Sequence, residues 1–237
     1  MKPSSQLIGI SVGPGDPELI TVKGLNALRS CDVLFAPQST VSSDSVAKGI
    51  VDRFQIPEER FRIVEFAMDR DRESLRRRYE IVAQAILEEV AAGKVVGFLT
   101  LGDALTFSTW IYTLAAVRKL APETSIETIP GVTSFAALAA ETECTLGEQK
   151  EQVLILPCPD EMSELRSRIE SHDLVILMKI GHRFDQVIEL IREMGLAEQS
   201  VLGRKIGMDG GEVYDSLSDL PEVEKLGYFS TMLIRSA

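Results

Sequence analysis

Three glycine-containing segments carry the polar residues with which this chain could do chemistry. They are Gly13-Pro14-Gly15-Asp16-Pro17, Leu101-Gly102-Asp103 and Pro130-Gly131-Val132-Thr133-Ser134. Glycine lets the backbone approach a ligand closely, and carboxylates and hydroxyls can hydrogen-bond to it. Each segment alone is also typical of an ordinary turn in which Asp, Ser or Thr only caps a helix. The residue types therefore predict ligand-binding turns, and no Ser-His-Asp or Cys-His arrangement accompanies them.

The elements that must position these turns follow from the apolar pattern. The run at residues 95–99 predicts a buried strand directly before Gly102-Asp103, and a helical spacing resumes at Phe107, Trp110 and Leu114. Strand candidates at residues 7–12 and 126–129 precede the other two turns in the same way. Ligands of open α/β sheets bind at the carboxyl ends of strands, so we expect the three turns to share one edge.

The first turn differs from two common nucleotide-binding loops. A dinucleotide fingerprint requires a third glycine where Glu18 stands, and a P-loop requires a Gly-Lys-Ser/Thr ending that is absent. A nicotinamide-dependent oxidoreductase is therefore disfavoured. A non-catalytic α/β module that senses an adenine nucleoside stays open as an alternative to an enzyme.

The rest of the chain repeats the strand-and-helix alternation, which predicts an α/β fold. Further strands are expected at residues 32–36, 61–66, 153–156, 173–178, 199–206 and 228–235, and helices at 18–30, 45–54, 69–92, 107–117, 135–140, 160–170 and 182–194. Residues 120–125 are typical of a linker. We therefore predict an N-terminal α/β domain over residues 1–121 and a C-terminal α/β domain over residues 122–237.

Composition limits the classes of partner. The formal net charge of −11 argues against a nucleic-acid partner, which would need an excess of Lys and Arg at phosphates. The sequence contains only three widely spaced cysteines and two histidines, so neither a disulfide framework nor a metal centre is expected. No apolar signal core and no run approaching the ~20 residues of a membrane span is present. We expect a cytoplasmic protein without a membrane partner.

One basic cluster stands out against this acidic background. It consists of Arg70, Arg72, Arg76, Arg77 and Arg78 on a long predicted helix. These arginines are either a solvated face paired with neighbouring acidic residues or a patch that binds carboxylates. Arg53, Arg60 and Arg62 offer a second basic group nearby in sequence.

Taken in this order and separation, the three turns resemble those of the tetrapyrrole (corrin and porphyrin) methyltransferases, which use S-adenosylmethionine. Within that family the chain is most similar to enzymes that methylate C-20 of precorrin-2 or of its cobalt form in cobalamin biosynthesis. That finer similarity is carried by residues 18–24, 106–109, 130–135 and 228–230. Another corrin-ring methyltransferase, or one acting on a diphthine precursor, is the alternative within the same superfamily.

The resemblance implies two α/β domains with an active-site cleft between them, a homodimer, S-adenosylmethionine as methyl donor and a polycarboxylate tetrapyrrole as substrate. By position, the donor-binding residues would be Leu101, Gly102, Asp103, Thr106, Phe107, Thr133, Ser134, Met178 and Ile206. Pro14, Gly15 and Asp16 would line the substrate side. No catalytic residue is assigned; Asp103 is a candidate for a role near the sulfonium, or for binding alone.

Two positions depart from the family pattern. Ala104 stands where the family usually has a proline after Gly-Asp, and Phe107 stands where many relatives carry tyrosine. A proline would fix the backbone after Asp103, so its absence predicts a less rigid turn.

Overall fold

A computed structural model describes residues 6–39, 44–66, 72–218, 220 and 229–236 of the chain. The chain divides into two units, Met1–Thr133 and Ser134–Ala237. Each unit is built on its own five-stranded sheet with helices packed on it, which confirms the predicted α/β class. No helix among the described residues is long and apolar enough to cross a membrane.

The first unit contains a parallel sheet in the order β3-β2-β4-β1-β5. Its strands are β1 (Leu7–Ser11), β2 (Val33–Ser39), β3 (Phe61–Phe66), β4 (Val96–Thr100) and β5 (Ile126–Ile129). Every residue of the central strands β1 and β4 is buried, as expected for a parallel sheet that helices cover on both faces.

The helices of this unit are α1 (Val22–Ser30), α2 (Val46–Val51), α3 (Arg72–Ala91) and α4 (Thr109–Leu120). One apolar cluster joins α1 and α2 to one face of the sheet, with Leu28 and Ile10 among its members. A second cluster joins α3 and α4 to the opposite face through Ile86, Trp110 and Phe98. The helices that follow β1 and β4 therefore leave the sheet on opposite faces.

The second unit has a mixed sheet in the order β6-β7-β10-β8-β9. Its strands are β6 (Val153–Pro157), β7 (Leu174–Met178), β8 (Ser200–Arg204), β9 (Glu212–Tyr214) and β10 (Ser230–Arg235), and its helices are α5 (Ser134–Thr142), α6 (Met162–Glu170) and α7 (Phe184–Glu193). Leu165 of α6 and Ile191 of α7 pack with Leu177 in one core. Leu138 of α5 instead approaches Gly203 of β8.

The boundary between the units differs from the predicted one. Residues 120–125 do not separate them, because β5 pairs with β1 along its length and belongs to the first sheet. The division falls between Thr133 and Ser134, not after Ala121. The short linker-like segment is only a connection from α4 to β5.

Two predicted helix starts were also wrong. Asp16 caps only a 3-10 turn (Pro17–Leu19), accepting from the Glu18 N–H, and a second cap, Thr21, begins α1. Helix α4 begins at Thr109 and not at Phe107, because Phe107 has a left-handed φ of +50°. Other 3-10 turns lie at Asp52–Phe54, Glu58–Arg60 and Gly181–Arg183.

Two strands depart from the predictions. Strand β2 was expected to end before Pro37 but continues to Ser39; β4 pairs with β2 only up to Phe35, so Pro37 has a neighbouring strand on one side only. Strand β9 was not predicted, since its three residues follow a turn and lack an apolar run. Residues 69–71 of the predicted long helix and Tyr228 of the predicted last strand lie outside the described residues.

Candidate functional site

The three predicted turns meet at the carboxyl-terminal edge of the first sheet. Strand β1 lies between β4 and β5, and α1 and α4 leave from opposite faces after β1 and β4. A position where successive connections diverge in this way is the usual ligand-binding crevice of an open α/β sheet. Gly13 and Gly102 join two of the turns through reciprocal backbone hydrogen bonds of 3.3 and 2.7 Å. The structure thus brings the predicted turns together.

Ser11, the last residue of β1, connects all three turns. Its side chain is fully buried; Oγ donates to the Ile129 carbonyl at 2.7 Å and accepts from the Ala104 N–H at 2.9 Å. One hydroxyl therefore links the end of β1 to the end of β5 and to the turn after β4. The sequence alone predicts only that Ser11 belongs to a strand, because a lone serine at a strand end carries no distinguishing pattern.

The Asp103 carboxylate fastens the turn after β4 to the turn after β5. Its Oδ2 accepts from the Gly131 N–H at 3.0 Å. Its Oδ1 accepts from the Leu105 N–H at 2.9 Å and from the Thr106 hydroxyl at 3.0 Å. Both oxygens are therefore occupied by donors of the loops themselves, an arrangement suited to shaping a binding surface.

Two glycines of the site, Gly131 and Gly102, differ in how much space surrounds them. A β-carbon on Gly131 would lie 2.4 Å from Ser11 Cβ and 2.6 Å from the Gly102 carbonyl oxygen, so only glycine fits there. Gly102 has a φ of +69°, and a β-carbon placed on it would have no neighbour within 4 Å among the residues that the structure describes. The protein therefore packs tightly behind Gly131 and leaves open space in front of Gly102.

The loop from Ala104 to Ser108 is held in an uncommon conformation. Ala104 is fully buried, and its carbonyl accepts a short hydrogen bond from Ser108 Oγ. Phe107 is half-buried with a φ of +50°, in the left-handed region that bulky side chains rarely adopt. Such strain persists where the surroundings impose it and is concentrated at functional sites. Leu101, at the start of the loop, is half-buried against the core under α1.

The three residues predicted on the substrate side lie in the turn after β1. Pro14 and Gly15 are buried, while Asp16 is half-buried. Asp16 Oδ1 accepts from the Glu18 N–H at 2.8 Å and so shapes the start of the 3-10 turn. The assignment of these three residues to the substrate side stays a prediction.

In the second unit, the predicted site residues surround Thr231 of β10. The Ser134 hydroxyl lies 2.9 Å from Thr231 Oγ1, and Met178 pairs with Thr231 across the sheet. On the other side Thr231 pairs with Gly203, above which Ile206 packs its buried side chain. Thr231 was not predicted as a site residue, because the apolar pattern of its strand does not indicate which strands it pairs with.

The same edge of this sheet concentrates backbone strain. Lys179 follows β7, Lys205 follows β8 and Phe229 precedes β10, and their φ angles are +54°, +50° and +54°. The Lys205 N–H donates to the Phe229 carbonyl at 3.0 Å. Three non-glycine residues therefore adopt the left-handed region at neighbouring strand ends, next to the predicted site residues Met178 and Ile206. Thr133, the last residue of the first unit, is half-buried.

Three of the clustered arginines have partners in the structure, while Arg70 and the side chain of Arg72 lie outside the described part of the chain. Arg76 pairs with Glu80 and Arg77 with Glu73, while Arg78 donates to the Glu65 carbonyl. The other basic group is similar: Arg62 pairs with Glu89, and Arg60 donates to backbone carbonyls. The alternative of a solvated, internally paired face is therefore what the geometry displays for these side chains.

Comparison with known proteins confirms the family resemblance that the three turns indicate. The family model of the tetrapyrrole (corrin/porphyrin) methylases matches residues 6–221. Cobalt-precorrin-2 C(20)-methyltransferase of Salmonella typhimurium is 36% identical over 231 residues, covering 98% of this chain and 96% of that protein. Precorrin-2 C(20)-methyltransferase of Sinorhizobium sp is 26% identical, covering 97% of this chain and 94% of that protein.

A solved structure shows the same fold at low sequence identity. Uroporphyrin-III C-methyl transferase from Thermus thermophilus, complexed with S-adenyl homocysteine, superposes with a TM-score of 0.63 at 16% identity, covering 98% of this chain and 97% of that one. With the family model matching almost the whole chain, the chain belongs to the tetrapyrrole (corrin/porphyrin) methylases.

Proposed function

We propose that this protein transfers a methyl group from S-adenosylmethionine to C-20 of precorrin-2, either metal-free or cobalt-loaded, in cobalamin biosynthesis. The observation that carries the proposal is the 36% identity to a cobalt-precorrin-2 C(20)-methyltransferase over nearly the full length of both proteins. The relative from Sinorhizobium is named for the metal-free substrate, so the two forms are compared in the test below.

The residues at the first sheet's edge suit a methyl donor. Gly102 offers open space beside a backbone held by Gly13, and Leu101, Thr106 and Phe107 flank it. The family resemblance adds Thr133 and Ser134 of the third turn, and Met178 and Ile206 toward the adenine. S-adenosylmethionine, when bound, supplies an electrophilic methyl group on a sulfonium. A neighbour of the same fold was solved with S-adenyl homocysteine, the product of such a transfer.

The proposed role of the protein in the reaction is to place the two reactants and exclude water. An electron-rich ring carbon needs little activation beyond alignment with the sulfonium methyl group: the new carbon–carbon bond forms as the sulfur–methyl bond breaks to leave S-adenosylhomocysteine, and the methylated ring later loses a proton to solvent. Because Asp103 already accepts from three donors of its own loops, we assign it a positioning role in place of proton transfer. Both Asp103 and Ser11 then act through the shape of the turns.

The tetrapyrrole carries many carboxylates, and the arginines of α3 remain our candidates to meet them. Arg77 and Glu73 are each 73% exposed, and an exposed pair of this kind contributes only about 0–1 kcal/mol. A substrate carboxylate could therefore replace Glu73 at little cost. A shallow cavity of about 330 Å³ is lined by Glu73, Ser74, Arg77, Arg78 and Ile81.

We also propose, from the resemblance, that the enzyme works as a homodimer in the cytoplasm. Light scattering coupled to gel filtration would give twice the 26.1 kDa of one chain if the dimer forms.

The test combines binding with turnover. Calorimetry with S-adenosylhomocysteine should give micromolar affinity, and incubation with S-adenosylmethionine should add one methyl group to precorrin-2 or cobalt-precorrin-2 by mass spectrometry. Comparing kcat/KM for the two substrates selects the physiological form. Binding without turnover on any tetrapyrrole would favour the sensor alternative, and turnover only on a later corrin intermediate would favour another enzyme of the superfamily.

A further inference from the structure

Ala104 and Ser11 form a buried contact that bears on the missing proline. Both residues have no exposed surface, and the Ala104 N–H donates to Ser11 Oγ at 2.9 Å. The same oxygen donates to the Ile129 carbonyl at 2.7 Å. A proline has no N–H, so it could not make the first of these bonds.

We propose that Ser11 is a positioning residue of the donor-binding turn, and that its hydroxyl and a proline at position 104 are mutually exclusive. In this protein the hydrogen bond from the Ala104 N–H to Ser11 Oγ holds the backbone after Asp103, as the ring of a proline would hold it. The consequence for ligand binding rests on the proposed function, whereas the exclusion between the two residues rests on geometry alone.

The exclusion follows from the direction of the hydrogen bond. The Cδ atom of a proline lies where the amide hydrogen would be, about 1.5 Å from the nitrogen. An oxygen only 2.9 Å from that nitrogen is then far inside contact distance of Cδ. Ser11 Cβ is one bond from the oxygen, so an alanine methyl at position 11 would crowd the ring as well. Glycine at position 11 removes both obstacles.

Close packing between Ser11 and Gly131 leaves room at position 11 only for a small side chain. Ser11 Cβ is the atom that a β-carbon on Gly131 would meet at 2.4 Å, so the wall behind the hydroxyl is already closed. Removing the oxygen with Ser11→Ala leaves the Ala104 N–H buried without its acceptor. An orphaned donor of this kind shifts the turn away from its binding conformation, and apparent affinity falls with the population of the competent state.

The experiment is a cycle of variants, with S-adenosylhomocysteine as the probe and thermal unfolding as a parallel readout. The proteins are wild type, Ser11→Ala, Ser11→Gly, Ala104→Pro and Ser11→Gly/Ala104→Pro. Ser200→Ala is the matched control, because Ser200 is a fully buried serine of β8 whose hydroxyl donates to the Leu196 carbonyl at 2.8 Å. It loses a comparable bond in the second unit.

We expect Ser11→Ala to bind the probe about tenfold more weakly, with a raised KM for S-adenosylmethionine and a smaller change in kcat. Ser200→Ala should lower the unfolding temperature and leave the probe's affinity unchanged. Ala104→Pro should be insoluble or lose binding, whereas the same proline placed on the Ser11→Gly background should fold and bind more tightly than Ala104→Pro.

Wild-type affinity in Ser11→Ala would overturn the positioning role. The exclusion would be overturned if Ala104→Pro changed the unfolding temperature and the probe's affinity by the same amount with serine as with glycine at position 11. If the wild type itself does not bind the probe, the proposed function fails, and the unfolding temperatures of the same proteins still decide whether the two residues exclude one another.

Discussion

Substituting Gly102 by alanine should weaken the binding of S-adenosylhomocysteine more than it lowers the free energy of unfolding. The residue has a φ of +69°, and no atom of the described part of the chain lies within 4 Å of the position that a β-carbon would take. The left-handed conformation costs a non-glycine residue about 1–2 kcal/mol, and the lower entropy of the unfolded chain returns roughly 0.4–1 kcal/mol. The net loss of folding free energy is therefore about 1 kcal/mol. The methyl group would project into the space that we assign to the methyl donor.

The expected loss of binding is larger. Forcing a methyl group into an occupied contact costs about 1–3 kcal/mol, which corresponds to affinity weaker by roughly 5- to 150-fold. Gly210 is a matched control, because it has the same φ of +69° and, like Gly102, no described atom within 4 Å of a β-carbon placed on it, but it lies in the second unit, in the turn between β8 and β9. Gly210→Ala should lose the same stability and bind as wild type.

Calorimetric titration with S-adenosylhomocysteine, together with chemical unfolding of the same samples, measures both quantities. A folded Gly102→Ala protein with wild-type affinity would refute the assignment of the open space to the donor. Equal losses of affinity in Gly102→Ala and Gly210→Ala would show that binding merely follows stability.

Further predictions concern the surrounding turns and the buried thiols. Asp103→Asn places an amide where two oxygens accepted hydrogen bonds, so affinity for S-adenosylhomocysteine should fall about tenfold with kcat nearly kept, whereas a collapse of kcat at unchanged affinity would indicate proton transfer. Gly131→Ala should lose both binding and stability, because its β-carbon would lie 2.4 Å from the nearest side-chain carbon; wild-type unfolding would contradict this packing. Burial raises the pKa of Cys31 to about 12 and also raises that of Cys158, so at pH 8 a thiol reagent should label only Cys144 in the folded protein. Because the folded pKa of Cys31 lies above its ordinary value of 9.0, its contribution to stability is complete below pH 9 and is lost as the pH rises toward 12; Cys31→Ala should flatten that part of the stability curve.

Much of the fold could be predicted from local patterns. The strands that are apolar throughout, such as those ending at Ser11 and Thr100, were evident because a parallel sheet buries both of their faces. The domain boundary could not be found in this way. Residues 120–125 have the composition of a linker, but which sheet receives β5 depends on its pairing with β1, and pairing is a long-range property.

The turns of the candidate site could be predicted from the sequence, but the hydrogen bonds that join them could not. Gly102, Asp103 and Gly131 are conspicuous in the sequence, because glycine and aspartate at strand ends have a physical reason to be there. What Asp103 bonds to was not predictable, since Gly131 is distant in sequence and approaches only through the sheet. Ser11 and Thr231 were missed for the same reason: each matters through partners on other strands.

The position of the transferred methyl group tests the central proposal most directly. Precorrin-2 and cobalt-precorrin-2 should each be incubated with S-adenosylmethionine labelled with ¹³C in its methyl group, and the products examined by NMR. The proposed function predicts a single new methyl resonance coupled to C-20 in at least one product. A label on any other ring carbon, or none on either substrate in a protein that binds S-adenosylhomocysteine, would contradict it.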